Sequence, residues 1–118
     1  MRFPTRKQLR PIAEKHGLRL IAAFASPSVT SAPAERQMQI AVWPELSLRP
    51  VQPKRLAREF VRLGLDVPVT VLYPEDPILC LHIARTGRPL YECQRGEWEG
   101  FRGFAQKLYW DWMEWLKK

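Results

Sequence analysis

Asparagine is absent from this chain of 118 residues, cysteine occurs only twice, and no apolar stretch is long enough to cross a bilayer. A membrane-spanning helix needs roughly 20 apolar residues, so no membrane association is expected. The N-terminal residues 1–11 are basic and lack the apolar centre of a signal peptide. Cys80 and Cys93 are too few for a disulfide scaffold and suit a reduced, cytoplasmic protein. They also lack the C-x-x-C spacing of common zinc sites, so no metal site is predicted from them.

Positive charge is concentrated in two segments of the chain, whose formal net charge is +7. Residues 2–19 carry six basic side chains against the single acid Glu14, and residues 49–62 carry five against Glu59. Such a surface can bind nucleic acid or an acidic protein, but a merely solvated face has the same composition. Nucleic-acid binding is therefore left open and is not specifically indicated.

Capping residues and apolar periodicity divide the chain into helices and strands. Pro53 and Pro77 stand where a first helical residue is expected, and Gly17, Gly64 and Gly87 stand where helices should end. Helices are predicted over residues 5–16, 53–64, 76–87 and from 97 to the C-terminus, and strands over 18–24, 38–42, 67–72 and 88–92. This order predicts a single α+β (mixed α/β) domain over residues 1–118, with a small mixed sheet of three or four strands flanked by helices.

Two glutamines stand at alternate positions where the second predicted strand begins. The chain reads Ala25-Ser26, then ten residues rich in Ser, Pro and Ala, then Gln37-Met38-Gln39. Amides are unusual at the start of a strand that is otherwise apolar. Residues 67–92, VPVTVLYPEDPILCLHIARTGRPLYE, then form a strand, a helix begun by proline, and a short strand.

This layout resembles the minimal nucleotidyltransferase family, small proteins with the DNA polymerase β palm-type fold. The family motif is Gly-Ser, about ten residues, and Asp-x-Asp at the start of the second strand. A third acidic residue lies on a neighbouring strand. The resemblance makes this chain a degenerate member with a nucleotidyltransferase-like fold, in which the former active-site positions are Ala25, Ser26, Gln37, Gln39 and Pro68.

The lost carboxylates bear directly on catalysis. Nucleotidyl transfer needs divalent metal ions, and Mg²⁺ requires anionic oxygen ligands. Residues two apart on a strand share a face, so Gln37 and Gln39 would keep the geometry without the charge. Pro68 has no side-chain ligand atom. We therefore expect no catalysis, no metal and no cofactor, with residual nucleotide binding assigned to Ser26 and Glu35.

The last predicted helix is rich in aromatic residues. Its residues 98, 101, 105 and 108 form a narrow apolar seam at spacings of three and four, which suits packing against the sheet. The tryptophans nearer the C-terminus exceed what so small a core needs, and exposed Trp is typical of protein interfaces. Trp110, Trp112 and Trp115 are therefore predicted to form an interface.

The family resemblance also implies a partner. Minimal nucleotidyltransferases often pair with a helical HEPN-type protein and act as the antitoxin, which implies a homodimer or a hetero-complex and a protein-binding function here. Two alternatives remain open. One is a divergent nucleotidyltransferase that transfers a nucleotide from an NTP with Mg²⁺, using Glu35 and carboxylates of a partner. The other is a metal-free nucleotide or nucleic-acid binder that uses Ser26 and the basic surface.

Overall fold

The computed structural model describes residues 3–25, 38–45 and 50–117. The elements are α1 (Arg6–His16), β1 (Leu18–Ala25), β2 (Met38–Pro44), α2 (Pro53–Arg62), β3 (Val69–Val71), α3 (Pro77–Thr86), β4 (Arg88–Glu92) and α4 (Glu97–Leu116). The predicted order of elements and the α+β class are confirmed. No helix in the described ranges is long and apolar enough to span a membrane.

The four strands form one mixed sheet in the order β3-β2-β1-β4. β1 pairs antiparallel with both β2 and β4, and β3 runs parallel to β2. β3 is shorter than predicted, because the ladder begins only at Val69 and not at residue 67. Proline has no N–H to donate, and Pro68 contributes only its carbonyl, which accepts a hydrogen bond from the Ile40 amide at 2.9 Å.

The sheet separates two apolar cores, because successive side chains of a strand point to opposite faces. The first core lies on one face, where Ile21 and Ile40 pack with residues of α1 and α2 such as Leu9 and Phe60. The second core lies on the other face, and its buried side chains come from β1, β2, α3 and α4; they include Leu20, Ala22, Phe24, Ala41, Cys80, Ile83, Trp98, Phe101 and Ala105. Helices therefore cover both faces of the sheet.

The helix termini follow the capping chemistry of the sequence. Thr5 caps α1 in a reciprocal pair with Gln8, and the helix runs through Pro11 to Gly17, whose φ of +66° favours glycine. Asp76 caps α3 by accepting a hydrogen bond from the Leu79 amide at 3.1 Å. These local signals were readable in the sequence, so both helix starts were predicted within one residue.

The Glu59 carboxylate of α2 bonds two side chains at the end of α1. Glu59 Oε1 accepts a hydrogen bond from Lys15 Nζ at 3.0 Å, and Glu59 Oε2 pairs with His16 Nε2. Burial by itself would raise the pKa of Glu59, but the hydrogen bonds and charges of Lys15 and His16 outweigh burial and lower it below 4.5. The ionised form is therefore stabilised in the folded protein.

Glu59→Gln should reduce the free energy of unfolding by about 1 kcal/mol at pH 6.5, because it removes the ionised partner of Lys15 and His16. Because the pKa of Glu59 is lowered in the folded state, its contribution to stability is fully present above the ordinary glutamate pKa of 4.5. That contribution is lost as the pH falls through the folded-state pKa. The difference between variant and parent in urea unfolding should therefore shrink at pH 3. The matched control is Glu14→Gln, whose partner Arg10 is exposed, and it should change little at either pH. An equal loss in both variants would contradict this account.

Candidate functional site

The candidate catalytic positions that the structure describes gather at one end of the sheet. Ala25 ends β1 and pairs in register with Met38 at the start of β2, and Gln39 pairs with Phe24. Pro68 lies beside them on the adjoining strand through its hydrogen bond to the Ile40 amide. Ser26, Glu35 and Gln37 lie outside the described residues. The predicted arrangement is thus described for Ala25, Gln39 and Pro68.

The Gln39 side chain shares its face of the sheet with α3 and α4. Strand alternation places it on the side of Ala41, which is buried in the second core. Its Oε1 accepts a hydrogen bond from Thr70 Oγ1 at 3.4 Å. An amide and a hydroxyl thus meet at this point, and neither carries the negative charge that a Mg²⁺ ligand should have. No group of three His, Cys, Asp or Glu side chains within residues 3–25, 38–45 and 50–117 is placed to hold a metal ion.

His82 reaches the same end of the sheet from α3. Its Nε2 lies 3.1 Å from the Ala25 carbonyl oxygen, and its ring meets Phe24 edge to face at 6.2 Å between centroids. Because a carbonyl only accepts, Nε2 must carry the proton and donate, which removes this nitrogen as a metal ligand. His82 therefore fastens α3 to the end of β1, as expected for a hydrogen-bonded histidine at the edge of a core.

The two cysteines are poor candidates for a nucleophile. Burial first, and then the charges of Asp76 and Glu75, raise the pKa of the Cys80 thiol to about 11. Cys80 Sγ donates to the Tyr73 carbonyl at 3.4 Å. Burial also raises the pKa of Cys93, and Glu97 adds to that rise. Both thiols are therefore protonated at neutral pH, and the thiolate is the reactive form.

A cleft of about 910 Å³ opens at the opposite end of the sheet, between the ends of β2 and β3 and the start of α4. Trp43 lines it and packs against Phe101 and Phe104 at centroid distances of 5.2 and 5.7 Å. Arg19 and Glu97, paired at 2.8 Å, form part of its wall. This cleft lies away from Gln39 and Pro68, so it is separate from the candidate catalytic positions.

The C-terminal half of α4 leaves the core. Trp98, Phe101 and Ala105 are buried, as the predicted seam required, whereas Leu108 is only half-buried. Beyond Ala105 no residue of α4 that the structure describes is buried. Trp110 is 62 % exposed and Trp115 is 69 % exposed, and Trp112 is half-buried against Tyr109. Two of the three tryptophans predicted at an interface thus lie on the surface, and the third is partly covered.

Solved structures with the same architecture cover nearly the whole chain. A mutant MntA-HpeT toxin–antitoxin complex matches with a TM-score of 0.64 at 21 % identity, over 94 % of this chain and 91 % of that one. A tri-AMPylated HEPN toxin from Shewanella oneidensis in complex with MNT antitoxin matches with a TM-score of 0.62 at 21 % identity, over 92 % and 87 %. The chain has the minimal nucleotidyltransferase fold.

A toxin–antitoxin structure with AMP-PNP has the same fold, with a TM-score of 0.61, 21 % identity and coverage of 94 % and 91 %. No protein-family model and no curated protein sequence matches the chain. The resemblance seen in the sequence is thus confirmed as a likeness of fold.

Thr70 and His82 were not predicted as neighbours of the candidate catalytic positions. Thr70 lies in the third strand, where its hydroxyl is the only side-chain polar group of Val69–Val71. A polar residue in an apolar strand was the one sequence signal that could have indicated it. His82 is a lone histidine in an apolar helix, and its contact with Ala25 depends on how α3 packs across β1. That packing has no signature in the sequence.

Restoring two aspartates should not restore a metal site. The variant Gln37→Asp with Gln39→Asp still has Pro68 at the third position, so we expect no Mn²⁺ binding in calorimetry and no transfer from labelled NTP. Adding Pro68→Asp keeps the carbonyl that bonds Ile40 and supplies a third carboxylate, and this triple variant should bind Mn²⁺. Strong Mn²⁺ binding by the unmodified chain, or by the double variant, would contradict this assignment.

Proposed function

We propose that this chain is a non-catalytic protein of the nucleotidyltransferase fold that binds a helical HEPN-type protein and acts as its antitoxin. The observation that carries the proposal is the C-terminal half of α4, which exposes aromatic side chains that its own domain leaves uncovered. Gln39 and Pro68, which carry no carboxylate, support the proposal that the chain is non-catalytic. The likeness of fold to the MntA and MNT antitoxin complexes supports the proposal of a HEPN-type partner.

The exposed half of α4 has the composition of an interface. The helix has 20 residues and is therefore about 30 Å long, yet the core covers only its first half. Trp110 and Trp115 leave large apolar surfaces in water, at a cost of roughly 25 cal/mol for each Å² that a partner could bury. Trp and Tyr are enriched at the centres of interfaces, where a few residues supply most of the binding energy. This surface is defined by Tyr109, Trp110, Trp112, Met113, Trp115 and Leu116 and is called the aromatic end of α4.

A helical partner is compatible with this surface. An exposed helix with apolar residues at spacings of three and four can pack against another helix, whose ridges fill the grooves between its side chains. The complexes of an MNT antitoxin with a HEPN toxin and of MntA with its toxin show that the same fold joins such a partner in other proteins. We extend that association to this chain.

Nucleotidyl transfer is the competing function. Its support is that the same fold occurs in a structure with AMP-PNP and in a complex whose toxin is AMPylated. Gln39 and Pro68 speak against it in this chain, since neither can hold Mg²⁺ as a carboxylate does. A second copy of the chain is the competing occupant of the aromatic end of α4. Sedimentation velocity of the chain, alone and with any HEPN-type protein found encoded beside it, distinguishes a homodimer from a hetero-complex.

Replacing exposed tryptophans should weaken association without unfolding the domain. Trp110→Ala and Trp115→Ala should each raise the Kd for the HEPN-type partner by about tenfold or more, as expected at an interface centre. The free energy of unfolding should change by less than about 0.5 kcal/mol, because both side chains are exposed. Calorimetric titration and urea unfolding of the same preparations give the two quantities.

The control for this pair is Trp98→Ala. Trp98 is 9 % exposed in the second core, so its truncation should cost roughly 3–5 kcal/mol of stability. A chain that stays monomeric at high concentration and does not bind the HEPN-type protein would contradict the proposed function. So would a Trp110→Ala variant that loses stability and keeps its affinity.

A further inference from the structure

A shallow pocket of about 250 Å³ lies between the end of α1 and α2, on the face of the sheet opposite α4. Its lining is charged throughout: Lys15, His16, Arg55, Arg58, Glu59 and Arg62. Four permanent cations thus surround one carboxylate. Neither the proposed partner interface nor the former catalytic positions include any of these residues.

The three arginines form one stripe along α2. Arg55, Arg58 and Arg62 are separated by three and four residues, so they lie on one side of the helix over roughly 10 Å of its length. All three are exposed. Among the residues that the structure describes, none of them is within ion-pair distance of a carboxylate. Their positive charge is therefore not neutralised by the part of the chain that the structure describes.

Glu59 makes no ion pair with the three arginines, because its two carboxylate oxygens already have partners. Lys15 Nζ and His16 Nε2 bond its two carboxylate oxygens. The arginines therefore keep their guanidinium donors for an external anion. Guanidinium groups bind phosphate through paired N–H donors, which makes arginine well suited to a phosphate backbone.

We propose that this arginine face, defined by Arg55, Arg58 and Arg62 with Lys15 at its edge, binds the phosphate backbone of a nucleic-acid duplex without reading its sequence. A duplex carries one negative charge for about every 1.7 Å of its axis, so it can engage the whole stripe at once. The proposal goes beyond the proposed antitoxin function and does not depend on it. Because the sheet separates the arginine face from the aromatic end of α4, both surfaces can be occupied together.

The residues that line the pocket favour a duplex over a single strand as the ligand. Proteins that hold single strands stack the bases on aromatic side chains, and the only ring lining this pocket is His16, whose imidazole is engaged by Glu59. Contacts to phosphates carry no sequence information. The arginine face should therefore bind duplex DNA and duplex RNA similarly, and any sequence equally.

The test is fluorescence anisotropy of the full chain with labelled 20-base-pair duplexes of DNA and of RNA, between 50 and 200 mM salt. The triple variant Arg55→Ala, Arg58→Ala, Arg62→Ala should bind roughly 30-fold more weakly at 50 mM salt. The slope of log K against log salt should fall in magnitude by about three, one for each lost phosphate contact. The matched control Arg85→Ala, Arg95→Ala, Lys107→Ala removes the same charge from exposed positions elsewhere, and its affinity should stay within about threefold of the parent.

A second variant should strengthen binding, which a misfolded protein would not do. Glu59→Gln removes the carboxylate from the centre of the pocket and should tighten duplex binding by roughly two- to fivefold. Equal weakening by the two triple variants would overturn the proposal, because net charge alone would then account for binding. Tighter binding of single strands, a tenfold preference for RNA or DNA, or better competition by polyglutamate than by unlabelled duplex would also overturn it.

Discussion

Both cores of this domain depend on the antiparallel pairing of β1 with β2. The register runs from Leu18 opposite Pro44 to Ala25 opposite Met38, and each strand is buried on both faces between its ends. Side-chain alternation along these two strands divides the apolar residues between the two cores, so a shift of one residue would exchange the faces. The same register places Gln39 beside Phe24, at the end of the sheet where β1 stops.

Four surfaces lie apart around that pairing. The candidate catalytic positions lie at one end of the sheet and the cleft lined by Trp43 lies at the other. The arginine face and the aromatic end of α4 lie on opposite sides of the sheet. A Mg²⁺ site at the first of these places would need carboxylate ligands, and the residues described there include Gln39 and Thr70. We propose that the exposed tryptophans and the arginine face are binding surfaces.

Local chemistry made much of the fold predictable. Pro77 marked the start of α3 and Gly17 the end of α1, because capping signals act within a few residues. The third strand was predicted over residues 67–72 but spans only Val69–Val71, because an apolar run does not show which N–H groups meet a partner. At the site, the positions of Gln39 and Pro68 followed from the family resemblance. The contacts of His82 with Ala25 and of Thr70 with Gln39 join residues 57 and 31 apart in the sequence, and only the packing brings them together.

Intact mass spectrometry of the complex with the HEPN-type partner tests the central claim most directly. The two chains are mixed with Mg²⁺ and ATP, and the masses of the complex and of its separated subunits are recorded. Binding without catalysis predicts a stable complex in which the partner keeps its unmodified mass. A partner whose mass has grown by one or more adenylyl groups would contradict the non-catalytic assignment, and the absence of any complex would contradict the binding function.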